Sequence, residues 1–168
     1  MYHILEWDAR IFTHFNRKLK CSFLDWIMPR ISFLGGARCS ILTCLIMLWV
    51  ARGNIQIGRD AAFALAGSHL AVQVIKRLVT RLRPYLSISE VNLGDVAVLK
   101  DYSFPSGHTT AVFALSTVIS AYFPAVLPVL SLVAAAVGFS RIYVGMHYPT
   151  DVIIGALIGV VSGILFVI

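Results

Sequence analysis

The chain has 168 residues, of which 58% are apolar and 13% charged, and its net charge is +6. A soluble domain is nearer half apolar and a quarter charged, so we expect one membrane domain spanning 1–168. The basic charge favours membrane surfaces and phosphate groups as partners. We expect no nucleic-acid partner, because no soluble basic domain is present to hold one. The three cysteines match neither a metal pattern nor a disulfide framework.

Residues 1–36 predict interfacial helices. In the first, apolar residues recur at steps of three and four, with basic residues opposite, so one face is expected to lie in the lipid interface. The apolar positions are Ile4, Trp7, Ile11, Phe15 and Leu19. The segment 21–36 is apolar but interrupted by Asp25, Pro29 and Arg30, which predicts a second interfacial or partly inserted helix.

Residues 37–168 predict an all-α integral membrane bundle of about five transmembrane helices. The apolar runs are Ala37–Ala51, Ala61–Ile75, Thr109–Phe123, Ala125–Tyr143 and Val152–Ile168. Several are nearer 15 residues than the usual ~20, so flanking polar residues must complete some helices. Gly53 and Asn54 break the chain after the first run, and Pro84–Pro105 is the only long connection. With five spans, the polar segments of the second half meet at one end of the bundle.

Two cations end the second run. Lys76 and Arg83 are seven residues apart, about two helical turns, so they are expected on one helix face before Pro84 ends the helix. Taken alone, the pair is equally consistent with two snorkelling cations at a helix end.

An anion site is predicted where the third run begins. Ser106 is a natural N-cap, and Gly107 allows backbone to approach a ligand closely. Free N–H groups at a helix start bind anions, and His108 would lie in the first turn beside them. A Ser-Gly-His turn alone is a weak signal.

A histidine and a carboxylate follow the fourth run. Arg141 ends that run, His147 follows, and Asp151 lies four residues further, just inside the helix that Pro149 starts. Such a carboxylate can fix the tautomer of the ring and leave its other nitrogen as a nucleophile or a base. A lone pair of this kind is more often structural.

Together these groups suit phosphoryl transfer. Three cations (Lys76, Arg83, Arg141) match the three equatorial oxygens of a phosphoryl group in transfer. The sequence has no Asp/Glu cluster for magnesium, so we expect neither a metal nor another cofactor.

Three ordered motifs resemble the signature of the type 2 phosphatidic acid phosphatase family. They are Lys-x6-Arg-Pro (76–84), Pro-Ser-Gly-His (105–108) and Ser-Arg-x5-His-x3-Asp (140–151). The resemblance implies that His147 is the nucleophile, oriented by Asp151, and that His108 is the general acid. It assigns binding of the phosphoryl oxygens to the remaining signature residues, Lys76, Arg83, Ser106, Gly107 and Arg141. Many bacterial members have six spans, against the five expected here.

The expected function is hydrolysis of a phosphomonoester or pyrophosphate on a membrane lipid through a phosphohistidine. In its length and motif pattern the chain most resembles small bacterial undecaprenyl pyrophosphate phosphatases. Phosphatidylglycerophosphate and other lipid phosphates are the alternatives within this class. A non-catalytic lipid-phosphate carrier or flippase is the alternative outside it, although such a chain would be expected to lose His108, His147 or Asp151 first. The sequence leaves the oligomeric state open.

The charge distribution and the family resemblance disagree on which side of the membrane the site lies. With five spans, every Lys and Arg except Arg52 and Arg59 lies on the side of the site, which the positive-inside rule assigns to the cytoplasm. The family resemblance implies an outward-facing site, and we follow it.

Residues outside the motifs have simpler interpretations. His69 shares a helix face with Lys76 and either lines the site or, as we favour, is a satisfied interior histidine. Glu90, Asp95 and Asp101 are interpreted as solvated residues of the long connection, although one of them could contact a head group. Three small residues four apart continue the face of Asp151, which predicts that this face packs inward. They are Gly155, Gly159 and Gly163.

Overall fold

A computed structural model describes residues 2–50 and 55–167, and within these ranges the chain contains helices and no strand. The predicted all-α class is therefore confirmed. The helices are α1 (Tyr2–Thr13, extended by a π-helical turn His14–Lys18), α2 (Ser22–Leu34), α3 (Ala37–Val50), α4 (Ile55–Val79), α5 (Pro84–Ser87), α6 (Gly107–Tyr122), α7 (Leu127–Tyr143) and α8 (Pro149–Val167). The predicted break at Gly53 and Asn54 lies outside the described residues.

Five helices coincide with the predicted runs, but the number of spans stays a prediction. Three described segments are long and apolar enough to cross a membrane: Ile55–Ser87, Pro124–Tyr143 and Pro149–Val167. Helices α2 and α3 pass the same test only as a pair, bent by 49° at their junction. Helix α6 has 16 residues, short for a span, yet it packs against α3, α4, α7 and α8 at the centre of the bundle.

Helix α8 packs its glycine face, defined as Gly155, Gly159 and Gly163, against α6. All three residues are buried. A Cβ placed on Gly159 would lie 2.5 Å from the carbonyl oxygen of Thr110, and one on Gly155 would lie 2.8 Å from that of Ser106. The predicted inward direction of this face is confirmed, and the close approach fixes α8 relative to the start of α6.

The N-terminal helix packs on the bundle mainly through a face other than its apolar stripe. Trp7 and Ile11 of the predicted stripe are exposed, with Trp7 at 64%. The residues buried against the bundle are Asp8, Phe12 and Asn16, at successive steps of four. Trp7 and Ile11 are therefore free to face lipid, and the inner face of α1 is largely polar.

Helix α4 ends earlier than the sequence predicts. Its last residue is Val79, and Thr80 follows with a φ of 48°, a left-handed conformation that stops a helix. Arg83 lies in the non-helical segment that follows, and Pro84 starts the short helix α5 instead of ending α4. The prediction that Lys76 and Arg83 share a helix face is thus wrong, although the two side chains meet in space.

The long connection between α5 and α6 folds back over the end of the bundle. The N–H of Ser103 donates to the carbonyl of Arg81 at 2.8 Å, and the hydroxyl of Tyr85 donates to the carbonyl of Leu99 at 2.6 Å. The side-chain amide of Asn16 donates to the carbonyls of Asn92 and Tyr143, both at 2.8 Å. These bonds hold the connection against α1, α5 and α7.

Candidate active site

The eight residues predicted for the site lie at one end of the bundle. Five of them line a single groove of about 610 Å³: Lys76, Arg83, Gly107, His108 and His147. The other three, Ser106, Arg141 and Asp151, are buried and do not line the groove. Away from this end the groove becomes apolar, between α3, α4 and α6. That part is lined by residues such as Ile41, Cys44, Leu45, Leu48, Leu65 and Val72.

Asp101 joins the first two cations. Lys76 Nζ donates to Asp101 Oδ2 at 2.8 Å, and Arg83 donates to Asp101 Oδ1 at 2.6 Å. Both cations are buried, whereas the carboxylate is about half exposed at 49%. Partial burial alone would raise the pKa of Asp101, but the hydrogen bonds and charges of Lys76 and Arg83 lower it to about 2. Asp101 is an exposed residue of the long connection, as interpreted, but its carboxylate is also paired with two cations of the site.

His147 lies against Arg83. Arg83 NH1 is 3.2 Å from His147 Nε2 and donates to the carbonyl of Met146 at 2.9 Å. A guanidinium only donates, so this contact requires a lone pair on Nε2 and leaves the ring proton on Nδ1. The groove thus has an unprotonated imidazole nitrogen beside a cation.

The turn between α7 and α8 sets the direction of His147. Gly145 has a φ of 81°, which an L side chain rarely adopts, and a Cβ there would lie 2.7 Å from Val91. The carbonyl of Arg141 accepts from the N–H groups of Met146 and His147, at 3.1 and 3.2 Å. The turn is therefore closed by its own backbone and places the His147 ring between Arg83 and Asp151.

Asp151 lies behind the ring, in the first turn of α8 as predicted. Its Oδ2 is 3.4 Å from His147 Nδ1, within ion-pair range but outside hydrogen-bonding geometry. The same oxygen accepts from the Ser103 hydroxyl and, at 2.9 Å, from the N–H of Tyr148. The carboxylate is therefore fixed by groups other than the histidine.

Burial lowers the pKa of His147 to about 3. That value already includes the positive charges of Arg83 and Arg141, which also lower the pKa, and the effect of Asp151, which raises it. The ring is consequently neutral at physiological pH, the state in which Nε2 can act as a nucleophile.

The start of α6 forms another wall of the groove. Ser106 is the N-cap, and its hydroxyl accepts from Thr109, which confirms the predicted cap. A Cβ on Gly107 would meet only Val72, at 3.8 Å, so the space beside this backbone is open. His108 approaches the bend between α2 and α3, where a Cβ on Gly36 would lie 3.6 Å from His108 Nε2.

Arg141 is 2% exposed and lies behind the groove. Its NH1 donates to the hydroxyl of Ser32 on α2, while its Nε has no hydrogen-bond partner among the described residues. A buried guanidinium N–H without a partner is costly. Arg141 Nε would therefore gain from an added hydrogen-bond acceptor, such as an oxygen of an anion.

Sequence reasoning missed four polar residues around the site: Asp8, Arg81, Asp101 and Ser103. Arg81 donates to Asp8 and Asp151, and Ser103 donates to Asp151. No periodic or motif signal marks these pairs, because their partners are distant in the chain. His69, favoured as an interior histidine, is exposed to the groove with Gln73 3.4 Å away. Within 2–50 and 55–167, no three His, Cys, Asp or Glu side chains group as a metal site.

The model of the PAP2 superfamily matches residues 58–168 of the chain. A relative from Bacillus subtilis named undecaprenyl-diphosphatase BcrC is 32% identical, over 86% of this chain and 74% of its own length. A relative from Bacillus licheniformis named bacitracin transport permease protein BcrC is also 32% identical, over 71% of this chain and 60% of its own. The chain thus spans about three fifths of that relative.

The crystal structure of Aquifex aeolicus LpxE has a similar fold. The TM-score is 0.83 at 30% sequence identity, and the match covers 94% of this chain and 92% of LpxE. The likeness therefore includes the N-terminal helices as well as residues 58–168.

Proposed function

The chain belongs to the PAP2 superfamily, and on that premise we propose that it is a membrane phosphatase that hydrolyses the phosphate ester or pyrophosphate of a lipid. The observation that carries the proposal is the contact of Arg83 with His147 Nε2 at the polar end of an apolar groove. A lipid tail would lie between α3, α4 and α6, and its phosphate would reach the cations. The relatives' names support the same class of substrate.

The reaction has two balanced steps. In the first, His147 Nε2 forms a bond to phosphorus while the bond from phosphorus to the leaving oxygen breaks, and His108 gives that oxygen a proton. In the second, the oxygen of a water molecule forms a bond to phosphorus while the bond from phosphorus to Nε2 breaks. His108 takes up a proton of the water, and inorganic phosphate leaves. Asp151 keeps the proton of the ring on Nδ1. The charge on the phosphoryl oxygens is stabilised by Lys76, Arg83 and Arg141. The first N–H groups of α6, which begins at Gly107 after the N-cap Ser106, contribute as well.

The proposed substrate is undecaprenyl pyrophosphate, with undecaprenyl phosphate as product and the site on the outer face of the membrane. Support for it comes from the B. subtilis relative named undecaprenyl-diphosphatase BcrC. Phosphatidylglycerophosphate and other lipid phosphates are the competing substrates. A carrier without turnover is the competing function. The B. licheniformis relative is named a transport permease protein, so the test includes binding without turnover as an outcome.

Purified protein in detergent micelles tests the proposal through phosphate release. We expect the highest kcat/KM on undecaprenyl pyrophosphate, compared with phosphatidylglycerophosphate and phosphatidic acid, and no loss of rate in excess EDTA. His147→Ala should abolish turnover, whereas His14→Ala, an exposed histidine outside the groove, should retain it. Quenching without acid should trap a phosphoenzyme in the wild type only. Binding of these lipids without turnover would favour the carrier instead, and loss of activity on chelation with rescue by magnesium would exclude the mechanism.

A further inference from the structure

Arg81 lies on the side of Asp151 away from His147. Arg81 NH1 donates to Asp151 Oδ1 and to the hydroxyl of Thr150, both at 2.8 Å. Arg81 NH2 donates to Asp8 Oδ2 at 2.6 Å, and the guanidinium carbon lies 3.9 Å from the centroid of the Tyr148 ring. One guanidinium therefore bridges two carboxylates and stacks on the residue next to His147.

Asp8 comes from α1, outside the residues 58–168 that match the family model. It is 2% exposed, and its Oδ1 accepts from the N–H of Thr150 at 3.0 Å, while the Thr150 hydroxyl donates to Oδ2. Phe12, one turn further along α1, packs its ring 5.6 Å from that of Tyr148. The N-terminal helix is therefore attached to the first turn of α8, which carries Asp151.

Three charges alternate along this line, with Arg81 between Asp8 and Asp151. Two buried carboxylates this close remain ionised only if a cation separates them. Arg81 is that cation. Because Asp8 shares the positive charge of Arg81, that charge is not directed at Asp151 alone. The titratable or charged groups around Asp151 are Arg81 and, beyond it, Asp8, together with His147, Tyr148 and, further away, Lys76.

We propose that Arg81 and Asp8 are positioning residues of the reaction, which act through Asp151 to keep its carboxylate ionised and directed at His147 Nδ1. The inference rests on the proposed function, because it concerns the nucleophile of that reaction. It gives the N-terminal helix a part in the chemistry besides its place at the membrane surface.

The effects of substituting Arg81 and Asp8 should depend on each other, because Arg81 separates the two carboxylates. Arg81→Met removes the cation, so Asp8 and Asp151 face each other and one of them takes up a proton. Activity should then fall at low pH and return as pH rises, because Asp151 must be ionised to hold the Nδ1 proton. Asp8→Asn in the same chain removes the second carboxylate, and Asp151 can ionise again. A purely structural role of Arg81 predicts that the double variant is worse than either single one.

The experiment measures kcat and KM against pH for farnesyl pyrophosphate in detergent micelles. We expect Arg81→Met to lower kcat about 100-fold near neutral pH, with little change in KM, and to move the acid limb to higher pH. Asp8→Asn should lower kcat about tenfold, the effect of weakening one hydrogen bond to a charged group. The kcat of the double variant should exceed that of Arg81→Met by about tenfold, and the acid limb of its pH profile should return to the wild-type position. Arg77→Met, an exposed arginine of α4, is the control and should match the wild type.

A double variant no faster than Arg81→Met, or an Arg81→Met profile that superimposes on the wild type, overturns the inference. If Arg81→Met does not fold, Asp8→Asn decides by itself, since it retains Arg81: a wild-type kcat in this variant is incompatible with the proposal. A wild type that hydrolyses no lipid phosphate or pyrophosphate overturns the proposed function together with the inference. An active wild type with unaffected variants overturns the inference alone.

Discussion

Asp101 pairs with the two cations that the proposed mechanism assigns to the phosphoryl group. An anion that binds Lys76 and Arg83 must compete with this half-exposed carboxylate. Competition of this kind weakens the binding of substrate and of product alike, which favours release of inorganic phosphate.

Asp101→Asn should therefore tighten inhibition by inorganic phosphate, by up to about tenfold. Because the pKa of Asp101 is about 2, the carboxylate is ionised throughout ordinary assay conditions, and the effect should be constant between about pH 5 and pH 8. The inhibition constant measured at several pH values checks this. Asp95→Asn, an exposed carboxylate of the same connection, is the control. Weaker inhibition in Asp101→Asn would mean that Asp101 mainly orients the cations.

His108 is predicted to protonate the leaving oxygen, from the first turn of α6 at the wall of the groove. His108→Ala should slow a lipid phosphomonoester such as phosphatidylglycerophosphate by about 10²-fold or more, and an activated phenolic phosphate far less, because only the alkoxide leaving group of the lipid ester needs the proton. The ratio of the two kcat/KM losses is the measurement. Equal losses would assign His108 to phosphate binding instead.

At the scale of elements, α8 and α6 form the frame of the site, and their contact is made by backbone and small side chains. The N–H of Ser106 donates to the carbonyl of Asp151 at 3.0 Å, so the two helix starts are joined directly. The glycine face continues this approach along α8. In a bilayer such close packing supplies much of the association between helices.

Gly159→Leu should lower thermal stability and activity together. Its Cβ would lie 2.5 Å from the carbonyl oxygen of Thr110 and 2.7 Å from Phe113, so α8 must shift, at a cost of about 1–3 kcal/mol. A displacement of about 1 Å at Asp151 can reduce the rate about 100-fold. Val161→Leu, 54% exposed on the same helix, should change neither property. Melting and turnover in detergent and in liposomes check both, and wild-type behaviour of Gly159→Leu would contradict this account of α8.

At the scale of the whole molecule, α1 lies on the same side of the bundle as the site, because Asp8 contacts Arg81 and Thr150 there. The chain also carries a natural probe of this side. Cys21 is exposed between α1 and α2, while Cys44 is buried.

If the site faces outward, a membrane-impermeant maleimide should label Cys21 in intact cells. The outward orientation opposes a literal positive-inside assignment, so the experiment decides between the two. Cys21→Ser measures the background, and permeabilised cells give the maximum labelling. Labelling that requires permeabilisation would assign the site to the cytoplasmic side.

The sequence alone determined the membrane class, the helical architecture, the motif residues and the inward face of α8. These properties follow from local patterns: apolar runs predict membrane helices, a step of four places glycines on the face of Asp151, and a Ser before a helix caps it.

The tertiary structure decided which charges meet. Lys76 and Asp101 are 25 residues apart, and Asp8 and Arg81 are 73 apart, so neither pair leaves a periodic signal. Nor could spacing reveal that α4 ends at Val79 and that Arg83 reaches the site from a non-helical segment. Buried charges need partners wherever the fold brings them close, and that proximity is a property of packed helices rather than of neighbouring residues.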